Sequence, residues 1–374
     1  MKKLVLLILL LIAACGTQRY AAGNDINDTA QPVLAELHEP LPPSDGQIHL
    51  FGERHSDAEH VTIQFEYWYY FYHEHGMRHL FVELPFFTAE LLNIWMQEND
   101  DEILELIFFH TAGTAFSSNE NWAFLLGIKY GMPETVFHGT DVGHQYGTIG
   151  QLFLNRLRAA GQAGSKVYLL TLNNIEQGRM HYGPNQQNHS LRADMMVENF
   201  IRAFDALAGE NIMSAFYGAA HVALGYYSPD LGSGPTLAEQ LTRRYGDQVH
   251  RTDLLDYVLD WRLNNAIANA VFEQIQIGDN IYSALFVGEE YLYMWLPQFL
   301  KREFYRIEEE NEAFWKYPAT GNVLPFDNFP VRVEVGHVFA VRYTYADGST
   351  RMEFLRAAGT VWQGREATEE FLPE

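Results

Sequence analysis

The sequence predicts an α/β fold: a mostly parallel sheet flanked by helices, with a small antiparallel β addition at the C-terminus. Three observations predict it. From Gln47 onward, short apolar runs alternate with longer amphipathic ones, the pattern of strands joined by crossover helices. Most of the short runs end in glycine or polar residues, as strands do at the carboxyl edge of a parallel sheet. Near the C-terminus, Val331 to Tyr345 and Thr350 to Leu355 are instead rich in β-branched and aromatic types. They are joined by Ala346-Asp347-Gly348-Ser349, and Asp-Gly between such runs signals a hairpin.

In chain order, Lys2 and Lys3 precede an apolar run, Leu4 to Ala14, that closes in Ile12-Ala13-Ala14-Cys15. A positive start, a short apolar stretch and small residues before a cysteine read as a signal peptide with a lipobox. The run is well short of the roughly 20 apolar residues that a spanning helix needs. It resembles the leaders of bacterial lipoproteins. The resemblance implies that residues 1–14 are removed, that Cys15 is lipidated, and that residues 15–45 tether a domain to a membrane outside the cytoplasm, at the outer membrane or the periplasmic face. Cys15 is the only cysteine, so the exported domain must be stable without an internal disulfide. Pro32, Pro40, Pro42 and Pro43, without a sustained period, mark the tether. The formal charge of −23 repels phosphate backbones and sets nucleic-acid binding aside.

The main domain is expected over 46–322 and the β extension over 323–374. Strands are predicted at Ile48 to Phe51, His79 to Glu83, Thr135 to His138, Lys166 to Thr171 and Asn211 to Gly218. Helices are predicted at Ser56 to His75, Thr88 to Glu98, Asp101 to Phe109, Trp122 to Tyr130, Tyr146 to Ala159, Ser190 to Ala208, Pro235 to Tyr245 and Tyr291 to Tyr317. Ser56 with Glu59 fits a capping box at the start of the first helix.

Four strand ends deliver an acid or a histidine. Gly52-Glu53-Arg54-His55 follows the first strand, and Glu83 ends the second. His138-Gly139-Thr140-Asp141-Val142-Gly143-His144 follows the third, with Asp141 favoured over His144, and Gly218-Ala219-Ala220-His221 ends the last. One such placement is ordinary; four point to a shared cleft. An ionised Glu83 at the edge of a core needs a partner. Asn173, Asn174, Arg179, His181 and Tyr182 read either as substrate contacts or as a solvated loop. The aromatic run from Tyr67 to Tyr72 reads first as a helix buried on several faces, and otherwise as the lining of a pocket for a planar ligand.

In order and spacing, Gly52-Glu53-Arg54-His55, Glu83, the segment Leu191 to Asn199 with its Arg192, and Gly218-Ala219-Ala220-His221 resemble the erythromycin esterase, ChaN and Tiki superfamily. The resemblance covers roughly Gln47 to Leu224. It implies a mostly parallel core with a cleft at the strand ends. Activities in the superfamily diverge, from ester hydrolysis through metal-dependent peptidase-like chemistry to haem binding, so the residues must be argued on their own.

Chemically they admit two hydrolytic readings on a small-molecule or peptide substrate. In the first, His55 is a general base, Glu53 or Glu83 orients or charges it, Arg192 stabilises an oxyanion and His221 protonates the leaving group. In the second, His55, His221 and one or two of Glu53, Glu83 and Asp141 hold a divalent metal that acidifies a water. The alternative is a ChaN-like lipoprotein that binds haem or another planar ligand without catalysis. No Gly-x-Ser-x-Gly elbow appears, which removes support for a serine nucleophile.

Overall fold

The computed structural model describes residues 46–183, 189–223, 235–292, 296, 298–308, 311–362 and 365–373. The expected leader, Cys15 and nearly all of the tether lie outside the described residues. The chain divides into two compact units, Met1–Leu255 and Asp256–Glu374.

The first unit is built on a parallel sheet. Strands β1 (Ile48–Glu53), β2 (His79–Pro85), β3 (Val136–Asp141), β4 (Ile212–Ala215), β5 (Tyr217–Gly218) and β6 (Val249–Asp253) run in the order β3-β2-β4-β1-β5, with β6 also paired to β1. Every pairing is parallel. Register brings the chemistry level: Glu53 lies opposite Gly218, and Pro85, two residues past Glu83, lies opposite Asp141.

Alternation along β1 sorts its side chains. Ile48 and Leu50 join Phe81, Met196, Phe200, Ile212 and Leu241 in a fully or nearly fully buried cluster. His49 and Phe51 turn the other way, toward helix α1 (Ala58–Glu74), where their rings lie 4.6 Å from Phe71 and 4.7 Å from Tyr67. Tyr67 and Phe71, four apart, share one stripe of that helix with Gln64. The cap of α1 is Asp57, whose side chain accepts from His60 N, in place of the expected Ser56–Glu59 box. Ser56 has φ 62° and donates its hydroxyl to Ala115 O instead.

Two expected elements are corrected. The apolar run Lys166 to Thr171 is the start of a helix, Lys166–Tyr182, and not a strand. Its buried positions Thr171, Asn174, Ile175 and Gly178 recur at helical spacing, and Ser165 caps it by accepting from Tyr168 N. The segment Tyr291 to Tyr317, expected as a helix, instead carries strand Phe299–Ile307 and the short 3-10 turn Asn311–Phe314. Alternate residues Arg302 and Phe304 are buried, with inward-facing Arg302 satisfied by Glu290 and Asn328. Two-sided pairing overrides the local helical preference.

The second unit holds a seven-stranded antiparallel sheet reaching from Phe272 to Phe371. It is larger than the addition expected over 323–374, and residue 323 falls inside strand Ala319–Leu324. The expected hairpin is present, with Val338–Tyr345 paired to Thr350–Arg356. Among the described residues no helix is long and apolar enough to cross a membrane.

Candidate active site

The carboxyl ends of β1, β2, β3 and β5 deliver Glu53, Glu83, Asp141 and Gly218 to one edge of the sheet, and helix α2 (His189–Asp205) adds Arg192. His221 stands on the short helix Ala219–Val222 that follows Gly218. A side chain at Gly52 would meet Ala219 Cα and Val222 Cβ at 3.0 Å, so the strand end and this short helix approach closely there.

One half of the site is a carboxyl–imidazole pair. Glu53, 2% exposed, faces His55 Nδ1 across 2.9 Å. The His55 side chain is 42% exposed, and a methyl group on Gly218 would lie 3.1 Å from its Nε2. Partial desolvation opposes charge on His55, but the hydrogen bond to Glu53 and the fields of Glu83 and Glu53 outweigh it, against repulsion by Arg192. The His55 pKa rises to about 9.

The other half is an arginine clamp. Arg192 donates through Nε to Asp141 Oδ1 at 3.0 Å and through one terminal nitrogen to Asp141 Oδ2 at 2.9 Å and Glu83 Oε1 at 2.7 Å. Its other terminal nitrogen lies 3.3 Å from His221 Nε2, which is also 3.3 Å from Glu83 Oε1. Glu83 accepts on its second oxygen from Gly218 N at 2.8 Å. Burial disfavours the ionised Glu83, yet His221, Arg192 and His55 overcome it and hold the carboxyl well below the usual carboxylate range. Burial works against the Arg192 charge as well, and Asp141 and Glu83 outweigh it, raising its pKa further.

Arg192 decides the fit of a metal. Its guanidinium fills the place between Glu83 and Asp141 that a divalent ion would take, and His55 turns Nδ1 to Glu53. Among the described residues no group of three His, Cys, Asp or Glu side chains is arranged to hold a metal ion. The set His55, His221, Glu53, Glu83 and Asp141 therefore does not fit one. On the aromatic helix Tyr67, Trp68, Phe71 and Tyr72 are buried, and Trp68 Nε1 donates to Thr135 Oγ1 at 3.1 Å.

Sequence reading missed one contributor. Gln64 is fully buried and donates through Nε2 to Glu53 Oε2. Its position on the same helical stripe as Tyr67 and Phe71 is the signal that would have found it. Tyr182 closes the clamp: burial, with Asp141 beside it, pushes its phenol up, and it hydrogen-bonds Arg192. Asn174 is structural, donating to Asp141 O and accepting from Phe86 N, while Arg179 sits exposed on Glu176. His144 packs edge-on against the Tyr182 ring, 4.6 Å away, whereas Asp141 holds Arg192.

No family model matches the chain, and no curated protein matches it. Among solved structures, a protein from Bacillus cereus is similar at 15% identity and TM-score 0.40, over 56% of this chain and 65% of that one. A succinoglycan biosynthesis protein is similar at 17% identity and TM-score 0.42, over the same two shares. An erythromycin esterase variant in an open conformation is similar at 13% identity and TM-score 0.42, over 64% of this chain and 76% of that one. The chain spans 65% of the length of the first two.

Proposed function

We propose that the chain is a metal-free hydrolase of ester or peptide bonds in a small-molecule or peptide substrate, held at a membrane outside the cytoplasm through lipid on Cys15. The observation that carries the reading is the buried Glu53 on Nδ1 of the exposed His55, which leaves proton exchange to Nε2 above Gly218. In its neutral form His55 takes a proton from water as that water's oxygen attacks the carbonyl carbon. It then returns the proton to the leaving oxygen or nitrogen, and Glu53 stabilises the imidazolium between the two steps. The motifs Gly52-Glu53-Arg54-His55 and Gly218-Ala219-Ala220-His221 agree with this reading.

Arg192 and His221 take positioning roles in this scheme, replacing the oxyanion and leaving-group roles expected of them. Arg192 is engaged by two carboxyl groups and His221 Nε2 by Glu83, so together they hold Glu83 where its charge raises the His55 pKa. A panel of esters and peptides, read with the full chain and with His55→Ala, tests the proposal. Hydrolysis should fall roughly 10²–10⁴-fold in the variant, and a variant as active as the parent would end the reading. Because the base must be neutral, the rate should climb with pH and level off above about 9. A plateau reached near pH 6.5 would place the base elsewhere.

A further inference from the structure

We infer that Gln64 is the positioning residue that joins the two halves of the site: its side-chain amide fixes the Glu53 carboxyl toward His55 and, through the backbone at Phe216, sets the turn that places Gly218 and His221. This deepens the hydrolase reading and rests on it.

The orientation of the amide follows from donor and acceptor chemistry. Phe216 N–H donates to Gln64 Oε1 at 2.9 Å. A backbone N–H can only donate, so the atom facing it must be the oxygen, which leaves Nε2 to face Glu53 Oε2. The same Nε2 also donates to His60 O at 3.3 Å. With Oε2 held, Oε1 of Glu53 is aimed at His55 Nδ1.

Phe216 is the other anchor. It has φ 65°, a left-handed conformation that a bulky residue adopts only when its surroundings impose it. Its ring is packed edge-on by Phe116 and Phe124, and its N–H is taken by Gln64. Immediately after it, Tyr217-Gly218 pairs with Gly52-Glu53, and Gly218 N–H reaches Glu83. A single buried amide thus ties the end of β1 to the residue between β4 and β5. Glutamine meets both demands because it carries a donor and an acceptor on one rigid group, whereas an apolar residue of similar size meets neither.

The test reads the His55 imidazole by NMR across pH in the full chain, with the resonance assigned by its loss in His55→Ala. The charged groups acting on His55 are Glu53 from β1, Glu83 from β2 and Arg192 from α2, and none of them is altered. In Gln64→Leu the Glu53 bond loosens, and the His55 titration should fall by roughly one unit or more toward the ordinary histidine value. In Gln64→Glu the new carboxyl shares a proton with Glu53, and the His55 titration should split into two coupled steps. Gln64→Glu keeps the acceptor for Phe216 N–H, so it carries the test if Gln64→Leu fails to fold. An unchanged single step at the wild-type position in the folded variants would overturn the inference. The readout does not depend on activity, so a hydrolase reading refuted by an active His55→Ala is distinguishable from a failure of the Gln64 assignment.

Discussion

Gly218 and Arg192 do opposite work at the strand ends, one by lacking a side chain and the other by committing all of it. The backbone of Gly218, φ −57° and ψ 140°, suits any residue, so Gly218→Ala isolates contact with His55 Nε2 from conformational cost. We expect its hydrolysis rate to fall about 10²-fold while its unfolding free energy, read by urea denaturation, stays within about 1 kcal/mol of the parent. An unchanged rate would mean that His55 Nε2 does not act above Gly218. Arg192→Met leaves Glu83 and Asp141, 6% and 7% exposed in their side chains, without their cation. Breaking such a buried pair costs about 3–5 kcal/mol, read as a lowered urea midpoint at pH 7. Residue types at this site were legible from the sequence as acids and histidines after apolar runs. Their partners were not, because Arg192 and Asp141 meet across 51 positions and Glu83 and Arg192 across 109.

At the scale of elements, β1 carries two chemistries on one face. Glu53 ends it in the site, while His49, 5% exposed, is enclosed by the ring of Phe71 from α1 and that of His250 from β6, 5.2 Å away. Burial, then the neighbouring His250 and His75, lower the His49 pKa to about 4. The folded value lies below the unfolded one near 6.5, so the neutral ring favours the fold above pH 6.5. That contribution is lost as pH falls from 6.5 toward 4, and its size is on the order of 3 kcal/mol. His49→Phe should therefore flatten the decline in urea midpoint between pH 7 and pH 4, and an undiminished decline would assign it to other groups. Helix α1 and the hairpin were legible because their patterns are strong and local. The strand Phe299–Ile307 was not, since its alternation of apolar with charged residues is stabilised by partners on both sides that lie outside the segment.

At the scale of the molecule, two units of different class stand in one chain: a parallel sheet with crossover helices up to Leu255 and an antiparallel sheet after it. The proposed anchor makes a prediction for the entire chain. Cys15→Ser should move it from the membrane to the soluble fraction of a bacterial host, and a variant that stays with the membrane would remove lipid on Cys15 as its attachment.

What the sequence by itself determined is the α/β class, the strand ends that bear acids and histidines, and the C-terminal hairpin. These depend on periods of two and 3.6 residues and on turn chemistry, all written within short windows. Only the tertiary structure decided that Lys166 opens a helix, that Arg192 occupies the place between Glu83 and Asp141, and that Gln64 links Glu53 to Phe216. Each of these depends on long-range neighbours: burial makes an unpaired polar group costly, and the fold alone supplies the partner that satisfies it.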